Sequence, residues 1–148
     1  MKENIRRWGR DLGFDAIGFT RADTGDAPAQ LAAWLAAGFH GEMDYMAAHV
    51  SEVGLKRALP TELVPGTQSI ITARMNYRPA SADAQETLAD PQRAYISRYA
   101  LGRDYHKVMR ARMQALADRM TAEIGEFAHR VFTDSAPVME VQLATQSG

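Results

Sequence analysis

Apolar residues recur along the chain at two periods, and the switches between them mark the elements. Ile5, Trp8 and Leu12 share one face of a helix over residues 2–12, with Lys2, Glu3, Arg6, Arg7 and Arg10 on the others. Gly13 ends it. Phe14 to Thr20 then alternates as a strand, in which Gly18 either packs or marks a close backbone approach. Asp26 and Pro28 open a helix through Ala37 that buries Leu31, Trp34 and Leu35. From Gly38 to Met46, two glycines bracket Phe39 and His40. A short helix follows that presents Met43, Tyr45 and Met46 as an adaptable apolar lid. Pro60 stops any helix carrying Lys56 and Arg57. Gln68 to Tyr77 reads as a central strand, residues 78–91 as a polar, mobile excursion, and Ala94 to Ala100 as another strand. Met109, Met113, Leu116, Met120 and Ile124 then line one face of a long helix over residues 105–124, closed by Gly125.

The stretch from His129 to Val138 organises the rest. Arg130 to Thr133 suits a short buried strand, Asp134 and Ser135 a turn or cap, and Pro137 the first turn of a last helix. In open α/β sheets ligands sit at such a corner, beyond the carboxyl ends of the strands. Asp134 is therefore a site candidate on a rigid support. The alternative is that Asp134 or Ser135 only caps the next helix.

The predicted fold class is α/β. A mixed central sheet is expected from strands near 14–20, 69–76, 94–99 and 128–133, flanked by helices in one domain over residues 1–148. The composition, 46% hydrophobic and 24% charged, is that of an ordinary globular domain. A net charge of -1 gives no overall basic field that would advertise nucleic acid. With no cysteine, neither a disulfide nor a cysteine-ligated zinc or iron–sulfur site can form within these residues. No apolar run reaches membrane-spanning length, and the charged N-terminus lacks the apolar segment of a secretory signal. A cytoplasmic protein is expected.

Familiar phosphate-loop, dinucleotide, nucleophile-elbow and zinc-protease motifs are absent. The four histidines, His40, His49, His106 and His129, have no metal-ligand spacing, and His40 reads as a structural hydrogen-bonder. What remains is a set of polar residues at predicted strand ends: Arg57, Ser97, Arg98, Asp104, Tyr105, His106 and Asp134. A carboxyl kept protonated there by desolvation serves as a general acid. Arginines at the rim suit phosphate or carboxamide groups, with Arg98, Arg103 and Arg110 as candidate phosphate contacts. Residues alone thus support a ligand-binding α/β domain.

Two stretches closely resemble the epoxyqueuosine reductase family: Tyr95 to His106, reading Y-I-S-R-Y-A-L-G-R-D-Y-H, and Val131 to Pro137, reading V-F-T-D-S-A-P. Trp34 to Met46, Lys56-Arg57-Ala58 and Leu63 to Thr67 fit the same family, in the same order along all 148 residues. The resemblance implies an enzyme that reduces epoxyqueuosine, at the wobble position of certain tRNAs, to queuosine. It implies a reduced cobalamin that delivers the electrons and two 4Fe–4S clusters that feed it. By the same resemblance Asp134, in D-S-A-P, is the proton donor to the departing epoxide oxygen and a cobalamin neighbour. Arg57 and Ser97 fall where the family contacts cobalamin, and Tyr105 and His106 take a supporting role. Some relatives carry cysteine at the position of Ser97, so a role special to a thiol does not transfer.

The family continues into a ferredoxin-like domain with cysteine runs that these residues lack, so the resemblance implies an N-terminal fragment truncated before it. The clusters are then expected only in the missing C-terminal part, and the fragment is inactive alone. A tRNA partner, no membrane association and a monomer are expected. The alternatives are a stand-alone cobalamin- or nucleotide-binding module without catalysis, or a decayed fragment that folds poorly.

Overall fold

A computed structural model describes residues 1–77, 80–134 and 136–148. In chain order its elements are α1 (Lys2–Asp11), β1 (Ala16–Arg21), α2 (Ala27–Ala36), β2 (Val50–Ser51), β3 (Gly54–Leu55), α3 (Pro60–Leu63), β4 (Ser69–Arg74), α4 (Ala84–Ala89), α5 (Tyr105–Ile124) and α6 (Glu140–Ser147). Short 3-10 turns lie at Asp44–Met46, Lys56–Ala58 and Arg98–Ala100.

β1 and β4 pair antiparallel, from Ala16 opposite Arg74 to Arg21 opposite Ser69. Strand alternation sends Ile17, Phe19, Ile71 and Ala73 to one face, where they meet α1 and α5. Ile5, Trp8, Phe14, Ile17, Leu116 and Met120 are buried together there. α6 covers the opposite face, where Ser147 Oγ lies 2.5 Å from Thr72 Oγ1. Gly18 is a packing glycine: a Cβ there would stand 2.6 Å from Ser147 Oγ and 2.7 Å from Thr72 Oγ1. The result is an α/β layer with helices on both faces of a small sheet.

α1, α2 and α5 form where the apolar period places them, and α5 spans the expected residues 105–124. The sheet is smaller than expected. Residues 94–97 and 128–132 are irregular, and the sheet is wholly antiparallel. Alternation encodes a face, but a strand also needs a neighbour with which to exchange hydrogen bonds, and the described residues offer those two segments none.

The last helix begins at Glu140 rather than near Pro137, because Ala136 to Met139 bend first, with Val138 N–H donating to Ala136 O at 2.8 Å. Pro60 opens α3 instead of merely stopping a helix, since its missing N–H has no partner to lose at a first turn. The excursion at 78–91 contains α4, capped by Asp83, whose carboxylate accepts from the Gln85 and Glu86 amides. Arg78 and Pro79 of that excursion, and Ser135 of the corner, lie outside the described residues. Met43 and Tyr45 are exposed, and the Tyr45 ring stands against the Arg57 guanidinium.

Candidate acid–base site at the helix ends

Asp104 starts the site by ending a loop. Its carboxylate caps α5, accepting from the His106 amide at 3.0 Å, and also contacts His106 Nδ1 at 3.0 Å. The hydrogen bond to His106 is the main cause that holds the Asp104 carboxyl below its usual range. A carboxylate on Nδ1 favours the tautomer protonated there and turns Nε2 outward. His106 Nε2 faces Asp134 Oδ2 at 3.8 Å, within ion-pair range and beyond a direct hydrogen bond.

Tyr105, the first residue of α5, donates its hydroxyl to Asp134 Oδ2. That bond to a carboxylate, aided by burial, pushes the phenol up to about 12. The Tyr105 and His106 rings stack with centroids 4.0 Å apart, and Tyr99 meets Tyr105 edge-on at 6.1 Å. Asp134 itself has φ 51°, in the left-handed region that non-glycine residues seldom occupy. Its side chain is 48% exposed, so these residues do not form the apolar enclosure expected around it. Its amide donates to Glu140 Oε1 at 3.0 Å. Burial first, then the Asp134 contacts, pushes the half-buried Glu140 carboxyl up.

Tyr105 also lines a cleft of about 310 Å³, together with Tyr77, Arg98, Tyr99 and Arg103. Two of the expected phosphate-binding arginines therefore share one wall with two further aromatic rings. Arg110 lies further along α5, outside that lining. Ser97 is exposed and precedes the turn at Arg98–Ala100.

Arg57 sits elsewhere, in the turn at Lys56–Ala58. That turn is fixed by Thr24, whose buried hydroxyl donates to Ala58 O at 2.6 Å. The Arg57 guanidinium lies 6.0 Å over the Tyr45 ring, and its Nε is buried without a hydrogen-bond partner among the described residues. Among those residues no hydrogen bond, ion pair or ring contact links Arg57 to Ser97 or Asp134. His40, expected to be a satisfied hydrogen-bonder, instead has a buried Nδ1 without a partner among the described residues. No group of three or more metal-ligating side chains occurs among the described residues.

Sequence reading passed over Glu140 and the ring of Tyr99. Glu140 stands six residues beyond Asp134 inside an apolar helical pattern, and the signal available was a carboxylate near a turn whose amides need acceptors.

A carboxyl, a phenol and an imidazole gathered at a helix start beside an arginine-lined cleft give this α/β fold a cluster of acid–base groups at the cleft's rim. The chain belongs to the epoxyqueuosine reductase family: the family model "Epoxyqueuosine reductase QueG, DUF1730" matches residues 57–135, more than half of it. The epoxyqueuosine reductase of Pseudomonas aeruginosa is 52% identical over 148 residues, which is 100% of this chain and 40% of that protein. The structure of epoxyqueuosine reductase from Bacillus subtilis, whose aspartate-bearing catalytic loop is swung out of the active site, matches with a TM-score of 0.76. It is 25% identical and covers 99% of this chain and 37% of that one. An epoxyqueuosine reductase with an epoxyqueuosine-modified tRNA-Tyr stem loop matches with a TM-score of 0.67 at 25% identity, over 99% of this chain and 38% of that one. The chain spans about 40% of the length of the curated relatives it matches.

Proposed function

We propose that these residues are the acid-bearing, cofactor- and substrate-contacting domain, over residues 1–148, of an enzyme that reduces epoxyqueuosine in tRNA to queuosine. One observation carries this reading: Tyr105 joins the Asp134 carboxyl to a cleft lined by Arg98, Arg103 and tyrosine rings. Guanidinium groups and aromatic faces are what a tRNA loop offers its phosphates and unstacked bases to. Removing the epoxide oxygen takes two electrons and two protons and releases water. Asp134 gives one proton to the departing oxygen, and the Tyr105 hydroxyl keeps the carboxyl oriented toward it. Recharging Asp134 from His106 requires the imidazolium, since the tautomer that Asp104 favours has no proton on Nε2, and requires closing the 3.8 Å gap or bridging it with a water.

The residues fit cobalamin in kind. The Arg57 Nε–H is buried and lacks an acceptor among the described residues, and the corrin periphery is rich in amide and phosphate oxygens. Arg57 and Ser97 would hold the group, with Asp134 near it, and cobalamin, when bound, supplies the reducing electrons. The residues do not fit a 4Fe–4S cluster, because none of the 148 is cysteine, and clusters must come from outside them. A cytoplasmic monomer suits this role, and among the described residues no helix is long and apolar enough to cross a membrane.

The test replaces the matching segment of the Pseudomonas aeruginosa relative with residues 1–148 and follows queuosine formation on a modified stem loop by nucleoside mass spectrometry. The chimera is expected to turn over. Asp134→Asn is expected to lose about 10²- to 10⁴-fold in kcat while cobalamin still binds. Undiminished turnover of that variant would remove Asp134 from the chemistry. Tight cobalamin binding by a chimera that never reduces substrate would favour a carrier module instead.

A further inference from the structure

Asp134 is gripped twice, from opposite layers of the molecule. Its carboxylate accepts from Tyr105, the first residue of α5. Its amide donates to Glu140, the first residue of α6, at 3.0 Å. α5 is anchored on one face of the sheet by buried Leu116 and Met120. α6 is anchored on the other by Leu143, which is 2% exposed, and by Ser147 against Thr72. Glu140 does not spend its side chain on capping its own helix, whose N-terminus has no side-chain cap. It reaches back six residues to a backbone amide in a left-handed conformation, which needs support from its surroundings to persist.

We propose that Glu140 is a positioning residue for Asp134: it holds the amide so that the carboxyl meets Tyr105 and His106. The role rests on the reading of Asp134 as proton donor. Glu140 acts on Asp134 itself, through the hydrogen bond to its amide and with its carboxyl also against the Asp134 carboxyl. What the amide needs is an acceptor oxygen at the right reach, and a carboxamide supplies one as a carboxylate does. The upward push on the Glu140 carboxyl agrees with a place that tolerates a neutral side chain. Length matters more than charge, since one methylene less draws the oxygen out of hydrogen-bond range.

The test uses the same chimera with Glu140→Ala, Glu140→Asp and Glu140→Gln. The Ala and Asp variants are expected to lose about tenfold in kcat at unchanged KM, because the contact orients an acid that acts only in the transition state. Gln is expected to restore kcat to within about threefold of the parent, having kept the acceptor. Hydrogen exchange of the peptide spanning Asp134 is expected to quicken in the Ala and Asp variants and not in Gln. Parental kcat in the Ala variant, equal loss in Gln and Ala, or unaltered exchange would each overturn the proposal. If the Ala variant fails to fold, the contrast between Asp and Gln decides. Full activity of Asp134→Asn would strike the proton-donor reading, while the exchange data would still report whether Glu140 holds the amide.

Discussion

The layer made by α1, β1, β4 and α5 and the segment from residue 126 to 139 are held by different forces. In the layer, Ile5, Trp8, Phe14, Ile17, Leu116 and Met120 share one buried cluster, so each is supported by several neighbours. The segment has no ladder and no helix among its described residues. It is tied by Phe127 against the core and by polar contacts, among them Gln114 to His129, Tyr105 to the Asp134 carboxylate and Glu140 to its amide. The layer sets where α5 and α6 begin, and the first residues of those helices then set where the acid stands. Damage to the layer should be global and thermodynamic; damage to the segment should be local and catalytic.

The sharpest way to break that contrast is Leu116→Ala. Leu116 is 4% exposed in the middle of α5, and its truncation removes apolar burial and leaves a cavity. A loss of about 2–5 kcal/mol in unfolding free energy is expected by denaturant titration. Turnover per folded molecule should stay near parental below the melting transition. A variant that melts normally yet has lost kcat would mean that the two regions are not separable in this way.

The same division explains what could be read from the residues. α1, α5, β1 and β4 each bury one face, and burial imposes a period, so Ile5, Trp8, Leu116 and Met120 announced their helices. The alternation at 94–99 and the β-branched, aromatic run at 128–133 both suited strands, yet a strand is a relation between two segments and neither finds a partner among the described residues. Asp134 was legible as a site candidate, because a carboxylate at a turn serves either a ligand or a cap. Tyr105 and His106 stood among the polar residues at predicted strand ends, and their likeness to the D-Y-H of a family gave them a supporting role. Glu140 was hidden, because a side chain that reaches six residues back to a backbone amide follows no repeating spacing. Arg57 and Ser97 belong to separate turns, and no local pattern relates them.

A smaller effect tests the segment from the side-chain end. Tyr105→Phe keeps the ring against Tyr99 and His106 and removes only the donor to Asp134. In the chimera, kcat is expected to fall about fivefold to tenfold, with the melting temperature within about 2 °C of the parent. Alkaline absorbance titration supplies an independent check. The tyrosine that ionises at about 12 in the parent should vanish from the titration of the variant.

The smallest effect is a matter of pH and separates what Glu140 does for the acid from what it does for stability. Burial and the nearby Asp134 carboxylate raise the Glu140 carboxyl above its ordinary 4.5. Between the unfolded and folded values the native state therefore binds more protons than the unfolded state, and stability falls as pH rises through that window. Below it the cost is absent, and above it the cost is fully present. Glu140→Gln keeps the acceptor for the Asp134 amide and removes the ionisation. Its melting temperature should match the parent near pH 4 and exceed it by about 1–2 °C at pH 7, a modest gain because the group is half exposed and solvent screens it. A variant that is more stable at pH 7 and still active would show that the segment keeps a charge its geometry does not need. A variant that is less stable at pH 7 would mean that the carboxylate is held by an attraction stronger than its desolvation, and the contrast between an apolar layer and a polar segment would have to be redrawn around that charge.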